Sequence, residues 1–322
     1  MSLQNRCHVP IARLKSAQAT VGNIPTHPIL SMAIPCGGQL VFSHAPSNMV
    51  RHAHAMLLAA CLTVSAFALA ETPDNRQSMP ASNPSPHSVP IDEDRPVNWK
   101  SLVPNIYHDQ RAIWTFPARL AHGEDWKPTV AFLAGLGALV ALDAHDSPYF
   151  RNNPAFAGFN HRLSASNATL GTILVPASFY ALGWVRKDSY TTHTSLLAAE
   201  AVADCEITAW VLKNATGRER PNAVPTGGNY SDTWFEHYQP PLLGEEGFPS
   251  GHAIAAFSVA TVFARRYGNH RWVPWVAYGA ATAVGFSRIT LQAHFPSDVF
   301  ASAVFGYVIS RFVVLRGRDT GF

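Results

Sequence analysis

Three short motifs gather the residues best suited to chemistry. The first is Lys213, six residues, then Arg220-Pro221. The second is Pro249-Ser250-Gly251-His252. The third is Ser287-Arg288, five residues, then His294, three residues, then Asp298. These types suit phosphoryl transfer. A bound phosphate carries close to two charges and strong acceptor oxygens. Lys213, Arg220 and Arg288 offer point charge and paired donors to such a group. The Ser250 hydroxyl and the Gly251 N–H add neutral donors, and glycine lets the backbone come close. A helix starting after Gly251 favours an anion at its N-terminus. Two histidines permit a two-step reaction, one attacking phosphorus and the other protonating the leaving oxygen. Asp298, four residues from His294, is placed to hold that ring in its nucleophilic tautomer.

Each motif alone is weak. A Lys-x6-Arg-Pro segment is usually a solvated basic helix end, Ser-Gly-His is usually a turn, and a His and an Asp four apart are usually a helical surface pair. Together they fix about eleven positions in one order, which chance does not explain.

The set resembles the signature of the superfamily that joins type 2 phosphatidic acid phosphatases, bacterial class A non-specific acid phosphatases and vanadium haloperoxidases. The resemblance covers roughly residues 105–318. It implies an all-α bundle of about six core helices with the active site at the helix ends. It implies a nucleophile at His294 oriented by Asp298, and His252 as general acid and then as the base that activates water. Lys213, Arg220, Ser250, Gly251 and Arg288 would hold the phosphate, with no metal and no cofactor. The implied partner is a phosphate ester, with a lipid phosphate, an isoprenoid diphosphate and small soluble monoesters all candidates. Two rivals share the motifs: a vanadium-dependent haloperoxidase, and a non-catalytic helical membrane or interaction protein that keeps the residues by descent.

The elements that must position these residues read as helices. Apolar runs lie at Thr129–Leu142, Leu170–Val185, Leu196–Leu212, Ala253–Ala264, Trp272–Phe286 and Val299–Leu315. They lack strict alternation and are rich in small and γ-branched residues. Helical signals start near Asp109. Residues 222–248 read as a long loop carrying Tyr230, Trp234, Phe235 and Tyr238, which could cover an apolar tail or only pack the lid.

Composition sets the outer limits. Charged residues make up only 14% of the chain and hydrophobic ones 47%, which points to a membrane association or an unusually large core. A formal charge of +3 with no spare basic patch argues against nucleic acid. Met49 to Ala70 has a basic start, an apolar run and a small-x-small end, as in a signal peptide. The expected division is therefore 1–48 as a mis-assigned start or extension, 49–70 as signal, 71–105 as linker and 106–318 as phosphatase domain. Cys7, Cys36 and Cys61 fall in or before that signal, leaving Cys205 as a lone small hydrophobe.

The expected location is the cell envelope, with the site facing outward from either the inner membrane or a soluble periplasmic bundle. Basic clusters at Arg186-Lys187, Arg265-Arg266 with Arg271, and Arg311 with Arg316 and Arg318 sit opposite the motifs, as in a positive-inside protein. Against a membrane, each apolar run is shorter than a comfortable span, and Glu200, Asp204 and Glu206 would be costly in lipid. A signal peptide placing residue 71 outside would also leave Lys213 inside after three crossings.

Overall fold

The computed structural model describes residue 95 and residues 97–151, 153–236 and 246–315. The expected extension, the signal and most of the linker lie outside the described residues. Within them the structure is helical and no strand occurs. The helices are α1 (Leu102–Trp114), α2 (Phe116–Ala121), α3 (Trp126–Phe150), α4 (Ala157–Arg162), α5 (Ala165–Arg186), α6 (Ser189–Thr216), α7 (Gly251–Arg266), α8 (Trp272–Thr290) and α9 (Pro296–Ile309). A short 3-10 turn, Pro154–Phe156, precedes α4, and a π-helical turn, Ser310–Val314, extends α9.

The six expected apolar runs are α3 and α5 to α9; α3 and α5 to α8 outgrow their runs, while α9 starts earlier than its run and ends at Ile309, where the π-turn takes over. α3 has 25 residues, α5 22 and α6 28. Polar first and last turns account for the difference. Asp188 starts α6 by accepting the N–H groups of Tyr190 and Thr191. The described structure also includes residues before the expected boundary. α1 starts inside the expected linker, and Val97 is buried.

α7 is the central helix, packed against α6, α8 and α9. It carries Ala253, Ile254, Phe257 and Val262 into the core. α9 crosses it at Gly306, where a Cβ would lie 2.6 Å from the Ile254 carbonyl oxygen, so only glycine fits. Glu200 and Asp204 on α6 are fully buried rather than facing outward, and their neighbours are Arg95, Asn105, Asp109 and Gln110 on or before α1.

α3, the helical segment Pro154–Arg186 that ends in α5, and α9 with its π-turn are long and apolar enough to cross a membrane. The short-run objection to spanning therefore does not hold for these helices. α3 and α5 expose large apolar side chains along their length, among them Val130, Leu133, Leu170, Ile173 and Leu174. Water disfavours a continuous apolar surface of this kind.

Candidate active site

The three motifs meet at one end of the bundle, where α6 and α8 finish and α7 and α9 begin. α6 ends at Gly217, whose φ of 50° is left-handed and turns the chain inward just after Lys213. α7 begins at Gly251 with Ser250 as its N-cap. α8 ends just past Arg288, whose carbonyl accepts the N–H groups of Ala293 and His294. That tight turn, with Gln292 at φ 56°, is what the five-residue spacer builds. Pro296 opens α9, and Asp298 accepts the Phe295 N–H at 2.8 Å.

His294 is buried at 4% exposure, between these ends. Its Nδ1 lies 2.6 Å from the Gly247 carbonyl oxygen. A carbonyl only accepts, so Nδ1 carries the proton and Nε2 keeps its lone pair. Asp298 stands 3.9 Å from Nδ1, beyond hydrogen-bond reach. The sequence-based expectation gave Asp298 the direct contact; the structure puts the Gly247 carbonyl there. Desolvation, then the charges of Lys213 and Arg220, hold the His294 pKa well below its ordinary value. The ring is therefore neutral at physiological pH, as a nucleophile requires.

Asp298 is engaged elsewhere. Arg218 donates to its carboxylate at 2.5 Å, to Asp143 at 2.6 Å and to the Ser297 hydroxyl at 2.7 Å. The Arg218 guanidinium lies 4.2 Å from the ring centroids of both Trp234 and Phe295. Asp143 comes from α3, far from the motifs in sequence, and also binds the Ser297 N–H. Arg218, Asp143, Ser297 and the Gly247 carbonyl are parts of the site that sequence reasoning missed. Arg218 had a signal: it is an arginine inside the spacer of the first motif, directly after Gly217.

The phosphate-binding set converges on the same place. The charges of Lys213 and Arg220 bear on both histidines, and that of Arg288 bears on His252. Lys213 donates to the Glu246 carbonyl at 2.6 Å. Burial, then Arg220, pulls its pKa down to about 8. Arg288 is nearly fully buried and is braced by the Ser287 hydroxyl and the Leu163 carbonyl. The Ser250 hydroxyl and Arg220 Nε are buried with no hydrogen-bond partner among the described residues. Orphan donors beside clustered cations suit a tetrahedral oxyanion. His252, in the first turn of α7, places Nε2 3.0 Å from the Thr169 hydroxyl of α5. The loop aromatics Tyr230 and Trp234 pack under the site against Phe295 and Arg218, while Phe235 is exposed. Tyr238 lies outside the described residues.

Residues 193–320, which hold all three motifs, match the model of the PAP2 superfamily. This segment is similar to that superfamily. The chain resembles the lipid A 1-phosphatase of Porphyromonas gingivalis, 31% identical over 31% of this chain and 22% of the relative. It resembles the lipid A 1-phosphatase of Rhizobium etli, 35% identical over 30% of this chain and 38% of the relative. It also resembles the bacitracin transport permease protein BcrC of Bacillus licheniformis, 33% identical over 24% of this chain and 37% of the relative. The chain thus spans about a fifth to two fifths of the length of these curated relatives. Among solved structures, it aligns with the transmembrane PAP2 type phosphatidylglycerolphosphate phosphatase of Bacillus subtilis. That alignment has a TM-score of 0.37 and 21% identity, and covers 66% of this chain and 92% of that one. The PAP2 segment carries every motif residue; α1 to α5 precede it.

Proposed function

We propose that this protein is a membrane-embedded phosphatase that hydrolyses lipid phosphate monoesters through a phosphohistidine, without a metal. The observation that carries the reading is the site itself. Orphan donors on Ser250 and Arg220 sit with buried cations around a neutral His294 whose Nε2 is free to attack. Relatives named lipid A phosphatases support the choice of a lipid phosphate.

The reaction proceeds in two displacements. The His294 Nε2 lone pair attacks phosphorus, an N–P bond forms, and the ester P–O bond breaks. His252 gives a proton to the departing oxygen, releasing the alcohol. His252 then takes a proton from water as that water attacks phosphorus, the N–P bond breaks, and inorganic phosphate leaves. Lys213, Arg220 and Arg288 compensate the charge on the equatorial oxygens in the transition state. The Gly247 carbonyl keeps the proton on Nδ1 and gains strength as the imidazole acquires charge. Arg218 and Asp143 fix Asp298, which holds the Phe295 N–H and so the backbone next to His294.

The apolar outer faces of α3 and α5 meet lipid in this reading. The basic ends lie opposite the motifs, with Arg266 packed on Tyr190 between the end of α7 and the start of α6. Basic ends on the cytoplasmic side put the active site outward. α3 then starts on the inner side, at Trp126. A signal cleaved after Ala70 would require a further crossing before Trp126, and neither α1 nor α2 has the length for one.

Phosphate release from a lipid monophosphate by the purified protein tests the reading. Wild type should release phosphate with or without EDTA, and His294→Ala should release none. Activity that EDTA abolishes and Mg²⁺ restores would overturn it.

A further inference from the structure

The phosphate cradle contains an acidic side chain that the three motifs do not include. Glu206 stands on α6 seven residues before Lys213, hence on the same face two turns earlier. Its two carboxylate oxygens lie 3.3 and 3.6 Å from the point where a Cβ on Gly251 would sit. Gly251 is the first residue of α7 and the neighbour of His252. A carboxylate therefore rests against the helix start that the reaction uses for an anion. The charge of Lys213 bears on the Glu206 carboxylate, so Glu206 is part of the same charged cluster at the mouth of the site. Its side chain is exposed, whereas Lys213, His294 and Arg288 are buried. It marks the open side of the site.

We infer that Glu206 is a specificity-determining residue that admits phosphate monoesters of uncharged alcohols and disfavours diphosphates. The inference rests on the phosphatase reading above. If His252 protonates the leaving oxygen, the first atoms of the leaving group lie beside His252, and so beside Gly251 and Glu206. An alcohol leaving group brings no charge there. A diphosphate brings a leaving group that is itself an anion and meets the Glu206 carboxylate. At about 6 Å separation, two like charges cost about threefold in an equilibrium at a water-like dielectric constant of ~80 and about 100-fold at ~20. Solvent on the exposed side favours the lower part of that range. A leaving group with hydroxyl or ammonium donors gains instead, because the carboxylate accepts from them.

The test compares an alkyl monophosphate with the diphosphate of the same alcohol. The full-length enzyme is assayed in detergent as wild type, Glu206→Gln and Glu206→Asp. The readout is the ratio of kcat/KM for the two substrates within each preparation, which cancels any inactive fraction. Wild type should favour the monophosphate. Glu206→Gln should shift the ratio about 3- to 100-fold toward the diphosphate, and Glu206→Asp should keep the wild-type preference. An unchanged ratio in Glu206→Gln, or a wild type that prefers the diphosphate, would overturn the inference alone. No phosphate release by wild type from either ester would overturn the phosphatase reading and the inference with it.

Discussion

Replacing Arg218 by methionine should cripple this protein, although its hydrogen bonds go to Thr233, Ser297, Asp298 and Asp143 rather than to either histidine. The side chain is 1% exposed and bridges two carboxylates that are equally buried, Asp143 and Asp298. Methionine keeps the apolar volume between Trp234 and Phe295 but removes the charge. Breaking one buried pair by deleting a partner costs about 3–5 kcal/mol, because the other charge stays buried and uncompensated. Two carboxylates depend on Arg218, so the loss should lie at or above the upper end of that range. For a domain of about 200 residues each kcal/mol is worth about 2–4 °C in Tm, which gives a fall of at least roughly 10 °C. Thermal unfolding in detergent reads it. Catalysis should suffer as well, since a shift of about 1 Å in a catalytic group can cost about 100-fold. Arg218→Met/Asp143→Asn should recover part of the Tm, because it removes one orphaned charge. Arg218→Lys should fall between, keeping charge and losing the fork that reaches Asp143, Ser297 and Asp298 together. A Tm within about 2 °C of wild type in Arg218→Met, with kcat retained, would refute this reasoning.

Other expectations follow from the same geometry. His252→Ala should lose more activity on an alkyl phosphate than on an aryl phosphate, because only the alkoxide needs a proton to leave; steady-state kinetics on the pair checks it, with general acid catalysis worth about 100- to 10,000-fold. Lys213 is charged below about pH 8 and neutral above it. Inhibition by vanadate should therefore weaken as pH rises through about 8 in wild type, and Lys213→Arg should remove that step. Reporter fusions should place the turn between α5 and α6 in the cytoplasm and residues 222–236 outside, and the reverse pattern would contradict the proposed orientation. Mass spectrometry of the envelope fraction decides whether the chain begins at Glu71, as a signal ending at Ala70 requires.

Much of this architecture was legible in the sequence, and the parts that were not share a cause. Apolar composition located α3 and α5 to α9, because each helix must bury or expose a continuous apolar stripe. Their ends were hidden because turns such as Asp143–Phe150 and Ser189–Ser195 carry polar groups that bond within the fold. The motif residues were legible because the chemistry constrains their type and order. The Gly247 carbonyl was not, since a backbone acceptor leaves no side-chain signature. The spacing of His294 and Asp298 suggested a direct contact, but spacing by four brings side chains together only within a helix. α9 starts at Pro296, after His294, so the rule does not apply there. Arg218 looked like spacer, and Asp143 fell just past the apolar run that ends at Leu142. Only the fold shows that the two are paired, with Asp298, next to His294.

Rapid-quench labelling tests the central claim most directly. Wild-type enzyme is mixed with a substrate carrying radioactive phosphorus, stopped within milliseconds, and digested under alkaline conditions that preserve phosphohistidine. The account predicts label on His294 through Nε2, none in His294→Ala, and longer-lived label in His252→Ala, where the base that activates water is missing. Label on His252 instead would reverse the two roles. Turnover with no label on either histidine would contradict the covalent mechanism.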